Sequence, residues 1–197
     1  MTTAAAVAAP PSEFRTGLTN AKLGVWLFLA SEVMLFATLF TTYIVLRLGA
    51  SEWPRGWEVL NVPLGFTNTL VLIVSSVTMV MAYAKCWDRD YKGFRIYLGI
   101  TIALGFVFLG IKSFEWAAKF RVHHFPSTSI YYALYFTMTG LHGLHVICGM
   151  IVNGALFVLS KKEWDHPLFM GRIEGSGLFW HFVDIVWIFL FPTFYLL

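Results

Sequence analysis

Five stretches of more than twenty mostly apolar residues alternate along the chain with short polar connections. They cover residues 23–48, 64–84, 94–116, 131–159 and 176–196. Crossing a hydrocarbon layer of about 30 Å takes about 20 apolar residues in a helix. A strand of a membrane barrel would instead show about ten residues of alternating polarity, and no such alternation is visible. A helix satisfies its own backbone hydrogen bonds, which lipid cannot do. The pattern therefore predicts an all-α integral membrane bundle of five transmembrane helices.

The connections carry breakers and charges. The first holds Glu52-Trp53-Pro54-Arg55-Gly56-Trp57 and the second Asp88, Arg89, Asp90 and Lys92. The third holds Lys119, Arg121, His123, His124 and Pro126, and the fourth Lys161, Lys162, Asp165, His166, Pro167 and Arg172. Trp53, Trp57, Trp87, Trp116 and Trp164 fall near span ends, where an aromatic belt is expected. Residues 1–21 are rich in Ala, Thr, Pro and Ser and lack the basic start of a signal peptide. They read as a disordered cytoplasmic tail ahead of a membrane domain over 22–197.

Composition narrows the picture. The 197 residues are 58% hydrophobic and 13% charged, against about 25% charged in soluble domains. The net charge of +3 is scattered between apolar runs, which argues against nucleic-acid binding. Nine Lys and Arg fall on the side of the N-terminus and the second and fourth connections, and five on the other. The positive-inside rule then places the N-terminus in the cytoplasm and the C-terminus outside. Cys86 is expected in a polar loop and Cys148 deep in an apolar run, so no disulfide is expected.

Ionisable groups inside a membrane are costly and mark candidate functional positions. Glu32 lies nine residues past Leu23 among Leu29, Ala30, Val33, Leu35 and Phe36, about 14 Å along the helix. It is a candidate to exchange a proton with a buried water chain, or to hydrogen-bond a neighbouring helix. His142 and His145 are three apart, as are His181 and Asp184, so each pair shares a helix face. The second pair could be an ion pair, a proton relay, or a ligand with its orienting carboxylate. Interhelical hydrogen bonding is the plainer reading of the three histidines, and metal or haem ligation the sharper one. Asn68, Thr69, Ser75, Ser76 and Thr78 form a polar stripe suited to helix packing. Glu115 is expected near the outer interface, hydrated or paired. Lys161 and Lys162 suit anionic lipid headgroups. No nucleophile–base arrangement, phosphate-binding loop or dinucleotide fingerprint is present.

These residues resemble the cytochrome c oxidase subunit III family of the haem–copper oxidases. The resemblance runs through all five spans. It is carried by Gly24-Val25-Trp26-Leu27-Phe28-Leu29-Ala30-Ser31-Glu32-Val33-Met34-Leu35-Phe36, by Asn68-Thr69 with Ser75-Ser76, and by Glu115-Trp116. The most specific segments are Thr139-Gly140-Leu141-His142-Gly143-Leu144-His145-Val146 and Phe179-Trp180-His181-Phe182-Val183-Asp184-Ile185-Val186-Trp187. The chain looks like the shorter, five-helix bacterial form.

The resemblance implies a non-catalytic subunit of a terminal oxidase in the bacterial cytoplasmic (inner) membrane, serving aerobic respiration. Haem and copper would sit in subunits I and II, with none in this chain. It would pack on subunit I, bind phospholipid, and support proton uptake and sustained turnover, with a small subunit IV as a further neighbour. Glu32 matches the family's carbodiimide-reactive acid, and Asn68, Glu115, His142, His145, His181 and Asp184 would form its interhelical polar cluster. Ser31-Glu32 and Asn68-Thr69 lean toward cytochrome c as electron donor. A quinol oxidase and a homologue associated with nitric oxide reductase remain alternatives. From other classes, a haem-bearing membrane anchor and a small-solute transporter remain, the latter without the inverted repeat it would need.

Overall fold

The computed structural model describes residues 20–123 and 125–197, and its elements are helical throughout. In chain order they are α1 (Asn20–Gly49), the single turn α2 (Gly56–Val59), α3 (Val62–Trp87), α4 (Tyr91–Arg121), α5 (Ile130–Glu163) and α6 (Phe169–Phe191). A π-helical turn, Pro192–Leu196, follows α6. The five long helices are long and apolar enough to cross a membrane. The disordered tail expected over 1–21 lies outside the described residues, apart from Asn20 and Ala21, which open α1. His124, which the sequence places in the third polar connection, also lies outside them.

Local chemistry sets the helix starts. The Asn61 side chain accepts the Leu64 N–H, with Pro63 in the first turn of α3. Asp90 accepts the Gly93 N–H at the start of α4, and Ser129 accepts the Tyr132 N–H at the start of α5. Each side chain satisfies a backbone donor that the helix itself leaves open. The Gly93 N–H, followed by a smaller contribution from Lys85, holds the half-buried Asp90 carboxyl below the usual carboxylate range.

The sequence puts a loop over residues 85–95, but helical structure continues to Trp87 and resumes at Tyr91. The reversal is made by Asp88–Asp90 alone, with Arg89 in the left-handed region at φ 58°. Cys86 is therefore a buried helical residue rather than a loop residue, because the polar Asp88, Arg89, Asp90 cluster that suggested a loop is itself the turn. Cys148 is exposed on α5, and both thiols are free. The fifth long helix starts at Phe169 rather than near residue 176, so Arg172 and Glu174 lie on its first turns.

Helices α1 and α6 run in the same direction. Lys22 pairs with Glu174 at one end (2.6 Å), and Arg47 donates to the Leu197 carbonyl at the other (2.9 Å). Helices α3 and α4 form an antiparallel hairpin, bridged midway by Thr78 and Thr101 (2.8 Å). Helix α6 is central and α1 peripheral: half of the most apolar stretch of α6 is buried, against 11% for α1. The π-helical turn seals the end of the bundle that holds α2. Tyr43 and Tyr131 donate to the carbonyls of Thr193 and Phe194, at 2.8 and 2.9 Å. Gly56 lies so close to the Phe194 carbonyl that no Cβ fits between them.

Candidate functional site

Glu32 sits twelve residues into α1, and His145 fifteen residues into α5. Their side chains meet, His145 Nε2 lying 2.9 Å from Glu32 Oε2. Both are largely buried, with side-chain exposures of 15% for Glu32 and 14% for His145. The edge of Phe36 packs against the imidazole (5.2 Å between ring centroids). His145 Nδ1 lies 2.8 Å from the Leu141 carbonyl. A carbonyl only accepts, so Nδ1 carries its proton and Nε2 is the atom turned to the acid. One further proton lies between Nε2 and the carboxyl group, on one atom or the other.

His142 shares a face with His145 in the sequence but points elsewhere. It is wholly enclosed against Phe108 and Trp187, with centroids 5.6 and 5.2 Å away, and neither ring nitrogen has a hydrogen-bond partner among the described residues. Asn68 is likewise buried, with both amide atoms unpartnered.

Between α3 and α6 runs a ladder of hydroxyl-to-ring hydrogen bonds. Trp187 Nε1 donates to Thr69 (3.0 Å), Trp180 Nε1 donates to Ser75 (3.1 Å), and Ser76 Oγ bonds His181 Nδ1 (2.6 Å). The polar stripe of the second span is thus the seam of a helix pair. His181 and Asp184 do not bond each other. Asp184 is buried beside Ser76, and neither of its carboxyl oxygens meets a hydrogen-bond partner at bonding geometry among the described residues.

Of the two states expected for Glu115, hydrated or paired, the structure shows the paired one. Its side chain is 4% exposed, and it pairs with Lys112 at 3.1 Å. Lys112 Nζ also bonds the hydroxyls of Tyr135 (3.2 Å) and Tyr195 (2.9 Å). The Tyr135 and Tyr195 hydroxyls in turn donate to Glu115 at 3.1 and 2.6 Å. The rings of Trp187, Tyr135 and Tyr195 surround the ammonium at 4.8, 5.1 and 5.4 Å. Lys112, one of the five Lys and Arg counted on the outer side, is a core residue. Its spacing of three from Glu115 on one helix was the signal available. Nothing in the sequence pointed to Tyr135 or Tyr195. Lys161 and Lys162 are exposed on the last turn of α5, where they bring no side chain of the polar cluster with them.

Among the described residues, no three His, Cys, Asp or Glu side chains converge as metal ligands. His142 and His145 do not fit a pair of axial haem ligands: His145 has both nitrogens engaged, and His142 is closed in by aromatic rings. A groove of about 810 Å3 between α1, α5 and α6 is lined by apolar side chains including Val25, Phe28, Leu156 and Phe179, with Lys22, Arg172 and Glu174 at one end.

Residues 12–197 match the family model described as cytochrome c oxidase subunit III. The chain is similar to a cytochrome c oxidase subunit 3 of Bacillus subtilis (strain 168), 35% identical over 99% of this chain and 95% of the relative. It is similar to another of that name from Bacillus sp. (strain PS3), 34% identical over 90% of this chain and 86% of the relative. It is also similar to a cytochrome bo(3) ubiquinol oxidase subunit 3 of Pseudomonas aeruginosa, 35% identical over 90% of this chain and 85% of the relative. The chain belongs to the cytochrome c oxidase subunit III family.

Proposed function

We propose that this member of the subunit III family is the non-catalytic third subunit of a haem–copper oxidase, and that it packs on subunit I and supports proton uptake and sustained turnover. The observation that carries the proton role is the Glu32–His145 pair. An acid and an imidazole at mid-depth, with the imidazole oriented by the Leu141 carbonyl, hold one mobile proton between them. Such a pair can take up and return a proton without leaving a lone charge in hydrocarbon. The electron-transfer chemistry belongs to haem and copper in subunits I and II, and a small subunit IV is a further expected partner.

The expected orientation, N-terminus cytoplasmic and C-terminus outside in the inner membrane, gains support from Lys112. Its burial removes a cation from the outer side of the count and widens the inward excess of Lys and Arg. Phospholipid is the proposed ligand of the α1–α5–α6 groove and of Lys161 and Lys162. The apolar wall of the groove suits acyl chains, and the exposed lysines on the last turn of α5 suit anionic headgroups.

The donor proposed from Ser31-Glu32 and Asn68-Thr69 is cytochrome c. The similarity to a ubiquinol oxidase subunit at equal identity favours quinol as a second reading.

The test uses the assembled oxidase. Glu32→Gln should abolish carbodiimide labelling of this chain and shorten the period of active turnover, while oxygen reduction persists. Loss of haem reduction in a correctly assembled Glu32→Gln complex would refute the proton-support role. Oxygen uptake with reduced cytochrome c against quinol decides the donor.

A further inference from the structure

The three histidines of the spans differ in what their nitrogens meet. His145 has both engaged, and His142 has both enclosed by protein atoms. His181 has Nδ1 bonded to Ser76, while its Nε2 makes no hydrogen bond among the described residues and is not enclosed by them. This nitrogen lies twelve residues into α6, about 18 Å along the helix, at a depth where lipid offers no hydrogen bond. Ser76 lies fourteen residues into α3, at matching depth. Within two helical turns of the pair, α3 exposes Ile73 and Val77, and α6 exposes Ile185 and Ile188. These β-branched side chains have few rotamers to lose when another helix packs on them. Behind the seam lies Asp184, beside Ser76 and without a hydrogen bond of its own.

We infer that the α3–α6 seam centred on Ser76 and His181 is the face on which a transmembrane helix of a partner subunit docks, presenting a polar side chain that hydrogen-bonds His181 Nε2. The inference rests on the subunit III reading and adds to it the face of attachment. Bare lipid fits the seam poorly, because it leaves a polar nitrogen in hydrocarbon without a partner. A partner helix removes that cost and covers an aliphatic rim with apolar contact on both sides. Ser76 fixes the ring so that Nε2 points outward whichever of Ser76 and Nδ1 supplies the proton of their bond.

The experiment uses the assembled oxidase in native membranes. A photoreactive residue replaces Val77 or Ile185 and, on other exposed faces, Phe114 of α4 or Ile151 of α5. After irradiation, adducts are identified by mass. The expected result is that positions 77 and 185 label a haem-bearing subunit in higher yield than positions 114 and 151. Adducts at 77 and 185 confined to lipid, or to a second copy of this chain, while a haem-bearing subunit still co-purifies, would overturn the docking face and leave the subunit III reading standing. Failure of any haem-bearing subunit to co-purify would remove both. In parallel, His181→Ala should lower retention of the chain in the washed complex about threefold, the size of one interhelical hydrogen bond in a membrane. His181→Gln should restore it. Full retention of the Ala variant would also overturn the docking contact.

Discussion

Removing either member of the Lys112–Glu115 pair should destabilise the chain more than removing both. The pair lies inside the bundle, with side-chain exposures of 9% for Lys112 and 4% for Glu115. Glu115→Leu leaves a buried ammonium held only by two phenol oxygens and three aromatic faces. Breaking one side of a buried pair costs about 3–5 kcal/mol, and this variant belongs at about 4 kcal/mol. Lys112→Met leaves a carboxylate that still receives the Tyr135 and Tyr195 hydroxyls, so its cost is near the lower bound, about 3 kcal/mol. Lys112→Met with Glu115→Leu removes both charges at similar volume. It leaves the two phenols short of partners, at about 2 kcal/mol. The double variant should therefore be destabilised by about 5 kcal/mol less than the sum of the single effects. Equilibrium unfolding in mixed detergent micelles, with wild type, both single variants and the double variant, measures the cycle. A double variant destabilised by the full sum would refute the coupling, and with it the assignment of Lys112 to the core.

Gly149→Val should lower stability by about 1–3 kcal/mol, since a Cβ there would stand 2.8 Å from the buried Trp180 ring; Gly143→Ala, with nothing within 4 Å, serves as the unaffected control in the same melts. Trp187→Phe should cost the bond to Thr69, about 0.6 kcal/mol in a membrane interior, in addition to lost ring volume, and Thr69→Val tests the bond alone. Asp90→Ala should destabilise the α3–α4 turn at neutral pH. The Asp90 carboxyl is held below its ordinary range, so its contribution is fully present above the unfolded-state value and is lost as pH falls through the lower folded value. The difference between wild type and Asp90→Ala should therefore vanish in acid melts, and a difference that persists there would refute the cap.

The five helices were legible because lipid imposes a length and a polarity that soluble folds do not. Glu32, His145, His181 and Asp184 stood out for the same reason, as ionisable groups in apolar runs. Their partners were legible only in part. His142 and His145 share a face in a helical projection, yet 60° of rotation sends one into the aromatic core and the other to α1, and sequence spacing cannot choose between those neighbours. Spacing also suggested a bond between His181 and Asp184, where a third residue, Ser76 on α3, takes the histidine instead. Cys86 was misplaced because three charged residues form a whole turn and left no room for the longer loop. Tyr195 reaches Lys112 only through the π-helical turn after α6, a backbone feature without a sequence signature here.

The central claim is that this chain serves a cofactor-bearing oxidase and holds no cofactor itself. Affinity purification from native membranes in mild detergent, followed by a reduced-minus-oxidised spectrum of the complex and of the separated chain, tests it most directly. The account predicts haem bands and oxygen uptake in the complex and none in the separated chain. A separated chain that keeps the haem spectrum, or a purified assembly that cannot reduce oxygen, would contradict it.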